Sequence, residues 1–206
     1  MNSIEQKLFE KLTDLHIIPS GAINIRKNGE GIMRNTTKEI DIIPKTDKSG
    51  IDIIIKPNVI DKSVHIPVII TVGGLSDLVY NDFYIGENSD VVIVAGCGIH
   101  NATCKTSMHN GIHSFHLEKN SKVKYIERHI GEGEGSGGKI LNPVTNVELK
   151  EGSQMIMETT QLGGVTSTIR KTKAKILDKA KLTIQENILT TDDQTAKTEF
   201  TVSLVG

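Results

Sequence analysis

The chain has 206 residues, 37% of them hydrophobic, and its 24 Lys and Arg against 25 Asp and Glu leave a formal net charge of −1. Charge this balanced, with no block of one sign, offers no electrostatic footprint for a nucleic-acid backbone. No apolar run approaches the length of a membrane span, and the opening Met1-Asn2-Ser3-Ile4-Glu5-Gln6-Lys7 lacks the basic and then apolar build of a secretion signal. A cytoplasmic chain with neither nucleic acid nor membrane as partner is expected. In that reducing compartment the two cysteines are expected as thiols, ligands or sulfur carriers rather than as a bridge, and the sequons at Asn35 and Asn101 carry no meaning.

Ile4, Leu8, Leu12 and Leu15 stand at helical spacing, and Pro19-Ser20-Gly21 supplies a stop, so one amphipathic helix and its linker are expected over residues 1–20. Residues 21–206 then read as a single β unit. Short β-branched runs such as Ile51 to Ile55 and Val64 to Val72 are bounded by Gly, Pro, Asn and Asp, and helical periodicity does not return.

From residue 83 a pattern recurs, with apolar pairs at Phe83 and Ile85, Phe115 and Leu117, Val147 and Leu149, and Ala174 and Ile176. Each pair is followed at a fixed offset by a small residue, Ser89, Ser121, Ser153 or Ala180, and then by a second apolar pair. The starts lie 32, 32 and 27 residues apart, and every unit reads as strand, tight polar turn and strand. Units that cannot bury their own apolar face alone imply a stacked solenoid, here a parallel β-helix, in preference to a β-sandwich with similar hairpins. On the alternation of strands, Phe115 and Leu117 face inward while Ser114 and His116 face outward. A fifth unit opens at Val202 and Leu204, and the expectation is of a solenoid cut in mid-repeat, hence a piece of a longer protein.

Both cysteines and four of the seven histidines fall between residues 97 and 116, a concentration of soft and borderline ligands. Cys97, Cys104, His100, His109 and His113 are the candidate metal ligands, although Cys-x6-Cys matches no standard closed zinc site. Cys97 ends a strand on the parity of Val91 and Ile93 and should face the interior. One unit further on, the same column holds His129 and the neighbouring column pairs Ala95 with Glu127, so His129 and Glu127 are candidate companions that would polarise the thiol. The glycine-rich Gly131 to Gly138 with Lys139 imitates a phosphate-binding loop. It fails because Ile140 replaces the Ser or Thr that would hold magnesium, Glu134 repels phosphate and Asn142-Pro143 blocks the following helix, so a mobile acidic loop is expected there. His16 and His65 read as ordinary polar positions, and the strand from Arg170 to Lys175 as a solvated face.

Taken together, Gly96-Cys97-Gly98-Ile99-His100-Asn101, His109-Asn110-Gly111-Ile112-His113, Gly131-Glu132-Gly133-Glu134-Gly135 and Ile140-Leu141-Asn142-Pro143-Val144-Thr145 resemble the SufB/SufD family of iron–sulfur cluster assembly proteins. The resemblance runs from about Gly21 to the end and is to the short, single-component branch. It implies a right-handed parallel β-helix and a scaffold, not an enzyme, on which a transient iron–sulfur cluster is built. The implied partners are a SufC-like ABC ATPase, docked through a C-terminal helical region, a sulfur donor protein, and a second copy of the chain. That helical region, and the family's second functional cysteine with its nearby histidine and glutamate, would lie beyond Gly206. Cys97 matches the position at which such proteins take up sulfur, whereas the surrounding histidines are not part of the family's pattern. Two other readings stand beside this one: a metal-dependent β-fold enzyme using the Cys/His cluster, and a purely structural interaction module.

Overall fold

The chain folds as a parallel β-solenoid fronted by one helix, in a computed structural model that describes residues 1–205; Gly206, at which the expected fifth unit is cut, lies outside them. The helix α1 (Ser3–Thr13) leads into β1 (Ala22–Lys27), β2 (Glu30–Asn35), β3 (Ile40–Pro44), β4 (Gly50–Ile55) and β5 (Ile60–Ile70). The long rungs follow as β6 (Ser76–Ile85), β7 (Asp90–His100), β8 (Ser107–Leu117) and β9 (Lys122–Glu132). The chain closes with β10 (Lys139–Leu141), β11 (Val144–Leu149), β12 (Gln154–Gln161), β13 (Ser167–Ile176), β14 (Lys181–Ile188) and β15 (Thr195–Leu204). One sheet runs β14-β12-β9-β7-β5-β1-β2, and the facing sheet β10-β13-β11-β8-β6-β4-β3 with β15 on β13. Among the described residues no helix is long and apolar enough to cross a membrane.

The repeat seen in the sequence is the register of the sheets. Phe83 pairs with Phe115, Phe115 with Val147, and Val147 with Ala174, while on the other sheet Ile93, Tyr125, Met157 and Ile184 form an equivalent column. Ser89, Ser121 and Ser153 are fully buried at the corners, and the residues before them, Asn88, Asn120 and Gly152, take φ of 57°, 58° and 70°. Asn and Gly tolerate this left-handed geometry, so the polar turn is set by local chemistry as well as by stacking. Ser121 and Ser153 then donate their hydroxyls to the carbonyls three residues back, 2.7 Å in each case.

Among the described residues two pairings are antiparallel, β1 with β2 and β3 with β4, neither expected from the sequence. The first turns at Asn28-Gly29, both with positive φ, a dipeptide that favours a tight hairpin. The helix also differs from expectation. Leu8, Phe9 and Leu12 are buried against Ile23, Ile25, Ile69 and Ile130, whereas Ile4 is 38% exposed. The helix begins at an Asn2–Glu5 capping box and stops at Asp14, whose φ is 58°, short of His16.

The run from Gly131 to Gly138 is not a loose tether. It lies along the Asn101–Thr106 loop one rung below, with Gly135 N–H donating to Asn101 O at 3.1 Å and Gly137 N–H to Thr103 O at 2.9 Å. A Cβ at Gly133, Gly135 or Gly137 would fall within 2.4 Å of a backbone oxygen in that loop, so every second residue must be glycine for the two segments to touch. Asn101, fully buried, pins the same loop by donating to Lys105 O at 2.7 Å and accepting from Thr103 N–H at 3.0 Å. Gly135→Ala is therefore expected to lower stability by about 1–3 kcal/mol in chemical denaturation, the cost of overpacking, where a mobile loop would absorb the change within about 0.5 kcal/mol.

Candidate functional site

The solenoid interior is divided along its strands. At one end Phe83 and Phe115 stack with ring centroids 4.3 Å apart, Tyr125 meets Phe115 edge-on, and Val91, Ile93 and Met157 complete an apolar core. Further along, the same inward parity carries polar side chains: Asp77 and Asn81 on β6, His109 and His113 on β8, Glu127 and His129 on β9, Thr159 and Gln161 on β12, and Arg170 on β13. All are at least 92% buried. Cys97, 1% exposed on β7, sits among them, in register with His129 on the next rung, at the ≈4.8 Å spacing of adjacent strands. Cys97, His109, His113, Glu127 and His129 line one enclosed cavity of about 20 Å³, room for a single water or one heavy atom.

Two hydrogen-bonded chains hold these groups. In the first, Asn81 faces His113 Nε2 at 3.3 Å, His113 Nδ1 meets the Tyr125 hydroxyl at 2.8 Å, and that hydroxyl donates to Glu127 Oε1 at 3.0 Å. Arg170 closes the chain, pairing with Glu127, donating to His129 Nδ1 at 2.9 Å and to Thr159 at 3.3 Å, and reaching Glu186 at 3.1 Å. In the second, His109 Nδ1 donates to Asp77 at 3.0 Å, and Arg26 grips the same carboxylate with two bonds of 2.8 and 3.0 Å. Because Tyr125 spends its proton on Glu127, His113 must donate from Nδ1 and accept at Nε2. Arginine only donates, so the neutral His129 ring carries its proton on Nε2.

Burial sets the charge states. It pulls His113 down to about 4 and His129 down to about 3, from a usual 6.5, so both rings are neutral. Burial is the largest single influence on Glu127 and opposes its ionisation, but the Arg170 charge and hydrogen bond together with the neighbouring histidines outweigh it and hold the carboxyl well below its usual range. Asp77 is held low in the same way by hydrogen bonds from His109 and Arg26. For Cys97 nothing compensates: burial first, then the negative charge of Asp77 and Glu127, pushes the thiol well above its usual range. Chemically the centre is a protonated thiol beside neutral imidazoles and two fixed carboxylates. An incoming cation would be drawn by those carboxylates and could displace the thiol proton.

The candidates from sequence divide accordingly. Cys97, His129 and Glu127 come together as expected, and His109 and His113 join them. Cys104 lies exposed on the loop after β7, and His100 is on the outer face of that strand, where α1 packs through Leu8 at Gly98, so neither reaches the cavity. The five-ligand set is not assembled. Among the described residues no three His, Cys, Asp or Glu side chains converge closely enough to hold a metal ion. Nor does His129 polarise the thiol, since its one lone pair is engaged by Arg170. His116 faces outward and stacks on Tyr84, as its parity implies, and His65, read as an ordinary polar position, is buried. Arg170, read as part of a solvated face, is 4% exposed and anchors the network. Its parity with Ala174 and Ile176 carried the signal, and the alternating lysines around it masked that signal.

Two outcomes follow from these charges. Glu127→Gln leaves Arg170 short of its counter-charge in the interior and is expected to cost about 3–5 kcal/mol in denaturant unfolding. The folded chain keeps His113 and His129 neutral to about 4 and about 3, while the unfolded chain protonates both near 6.5. The stability from these neutral rings is therefore complete above that value and drains as the pH falls towards 4. Denaturation midpoints across this window should decline with acid, and His113→Asn should reduce the slope by one proton. No family model matches the chain, and no curated protein is significantly similar to it.

Proposed function

We propose that this chain is a scaffold for iron–sulfur cluster assembly, similar to the SufB/SufD proteins, receiving sulfur and iron and working with a SufC-like ABC ATPase. The observation that carries this reading is a single thiol, Cys97, enclosed with His109, His113, Glu127 and His129 in a cavity of about 20 Å³. Thiolate is the ligand iron prefers and the acceptor of sulfane sulfur, and the cavity has room for one added atom of either kind. It has no room for a complete cluster. On this reading Cys97 is a receiving point, and the cluster is completed where further ligands are supplied, in a complex with a sulfur donor protein and a second copy of the chain. The scaffold itself turns nothing over.

The resemblance in the four motifs supports the same reading, and two of their glycines lie beside the cavity. Gly96 lets β7 pass close to Arg128 of β9 beside Cys97, and Gly111 leaves space that a Cβ would fill 3.0 Å from His113 Nε2 and 3.5 Å from His109 Nε2. A metal-dependent enzyme is the second reading, favoured by the Asp77-oriented His109, since a carboxylate behind an imidazole is a common support for a metal ligand.

Anaerobic incubation with ferrous iron and sulfide separates the two. The scaffold reading expects bound iron with a thiolate-to-iron absorption band, lost in Cys97→Ala. Bound metal that is insensitive to Cys97→Ala and lost in His109→Ala would overturn it in favour of the enzyme.

A further inference from the structure

A second, larger cavity of about 220 Å³ opens at the N-terminal end of the solenoid, between the β1–β2 and β3–β4 hairpins. Among the described residues four cationic side chains, Arg26, Arg34, Lys45 and Lys48, line it, and no Asp or Glu does. Two of the four are already neutralised. Arg26 is engaged by Asp77, and Lys45 lies between Asp52 and Asp82. Among the described residues Arg34 and Lys48 make no ion pair; both are exposed, and each has one contact that orients it. Arg34 donates Nε to Oδ1 of the buried Asn24 at 3.1 Å, which leaves its two terminal nitrogens available as a fork. Lys48 stands over the Tyr80 ring, 4.7 Å from its centroid.

An oriented guanidinium fork and an oriented ammonium around a concave, acid-free wall match an oxyanion, which a fork binds with two parallel charge-assisted bonds. We infer that this pocket binds a small molecule through a phosphate or carboxylate group. The hydroxyl of Ser49, which accepts from Arg26 at 2.8 Å, adds a polar group to the same wall. The pocket shares Ile66, Val68 and Asn81 with the cavity at Cys97, so the bound anion sits one layer of side chains from that thiol. The inference stands without the cluster-assembly reading, because it rests on different residues and needs neither sulfur nor metal.

Titration calorimetry of the full chain with inorganic phosphate, and separately with citrate, tests it. Saturable binding of at least one is expected, weakened about tenfold or more in Arg34→Gln/Lys48→Gln, the loss of roughly one charged hydrogen bond. A control pair on the outer face, Lys119→Gln/Lys150→Gln, should bind as the parent does. Preference for phosphate identifies a phosphoryl ligand and preference for citrate a carboxylate. Absence of binding by either up to about 10 mM, weaker than ordinary metabolite affinities, would overturn the proposal. Equal loss in the two double variants would do the same, since it would mark diffuse charge and not a site.

Discussion

Everything in this molecule depends on the registry of parallel rungs. Because inward and outward positions alternate with a period of two, one residue of slip would exchange the interior for the surface along an entire strand. The stacked rings of Phe83 and Phe115, the buried serines at the corners and the left-handed Asn or Gly before them all fix that register independently of the polar residues. Once it is fixed, residues far apart in the chain have no choice of neighbour: Cys97 meets His129, and Arg170 reaches Glu127, 43 residues away. The local turn chemistry thus determines the composition of a buried site to which it contributes no atoms.

A polar interior is costly to build, and here the cost is offset by near-complete pairing. Arg170 satisfies a carboxylate, an imidazole and a hydroxyl at once, and Tyr125 links the two sides of the solenoid. The exceptions are informative. Gln161, in register with His129 and one rung beyond it, has neither side-chain atom partnered among the described residues. Cys97 makes no hydrogen bond that would stabilise a thiolate, and the fixed carboxylates raise its pKa further. Such a thiol stays protonated until an entering group lowers its pKa, unlike a cysteine held ready as a thiolate. That distinction, more than the number of histidines nearby, gives the centre its chemical character.

The repeated offsets in the sequence were sufficient to identify the solenoid, its register and the inward direction of Cys97, because corner residues and alternation are local signals. The inward turn of His109 and His113 followed from the same parity as Phe115 and was legible in principle. What could not be read were features set by cross-rung contact. The Gly133, Gly135 and Gly137 series looks like flexible composition until the loop it lies against is known. Phe9 replaces Ile4 on the buried face of α1 because the helix docks across several strands, with Leu8 seated on Gly98, an arrangement that no single-helix periodicity encodes. Arg170 was hidden by its lysine neighbours, whose outward direction is correct and whose solvated character was extended to it.

The most direct test of the enclosed centre is nitrogen-15 NMR of the histidine side chains. His129 should appear as the Nε2–H tautomer and His113 as the Nδ1–H tautomer, both unchanged as the pH is lowered from 7 to about 5. Rings that exchange tautomers freely and titrate near 6.5 would show that the rungs do not bring these groups together in a closed interior, and the assignment of Cys97 to a common site with them would fail.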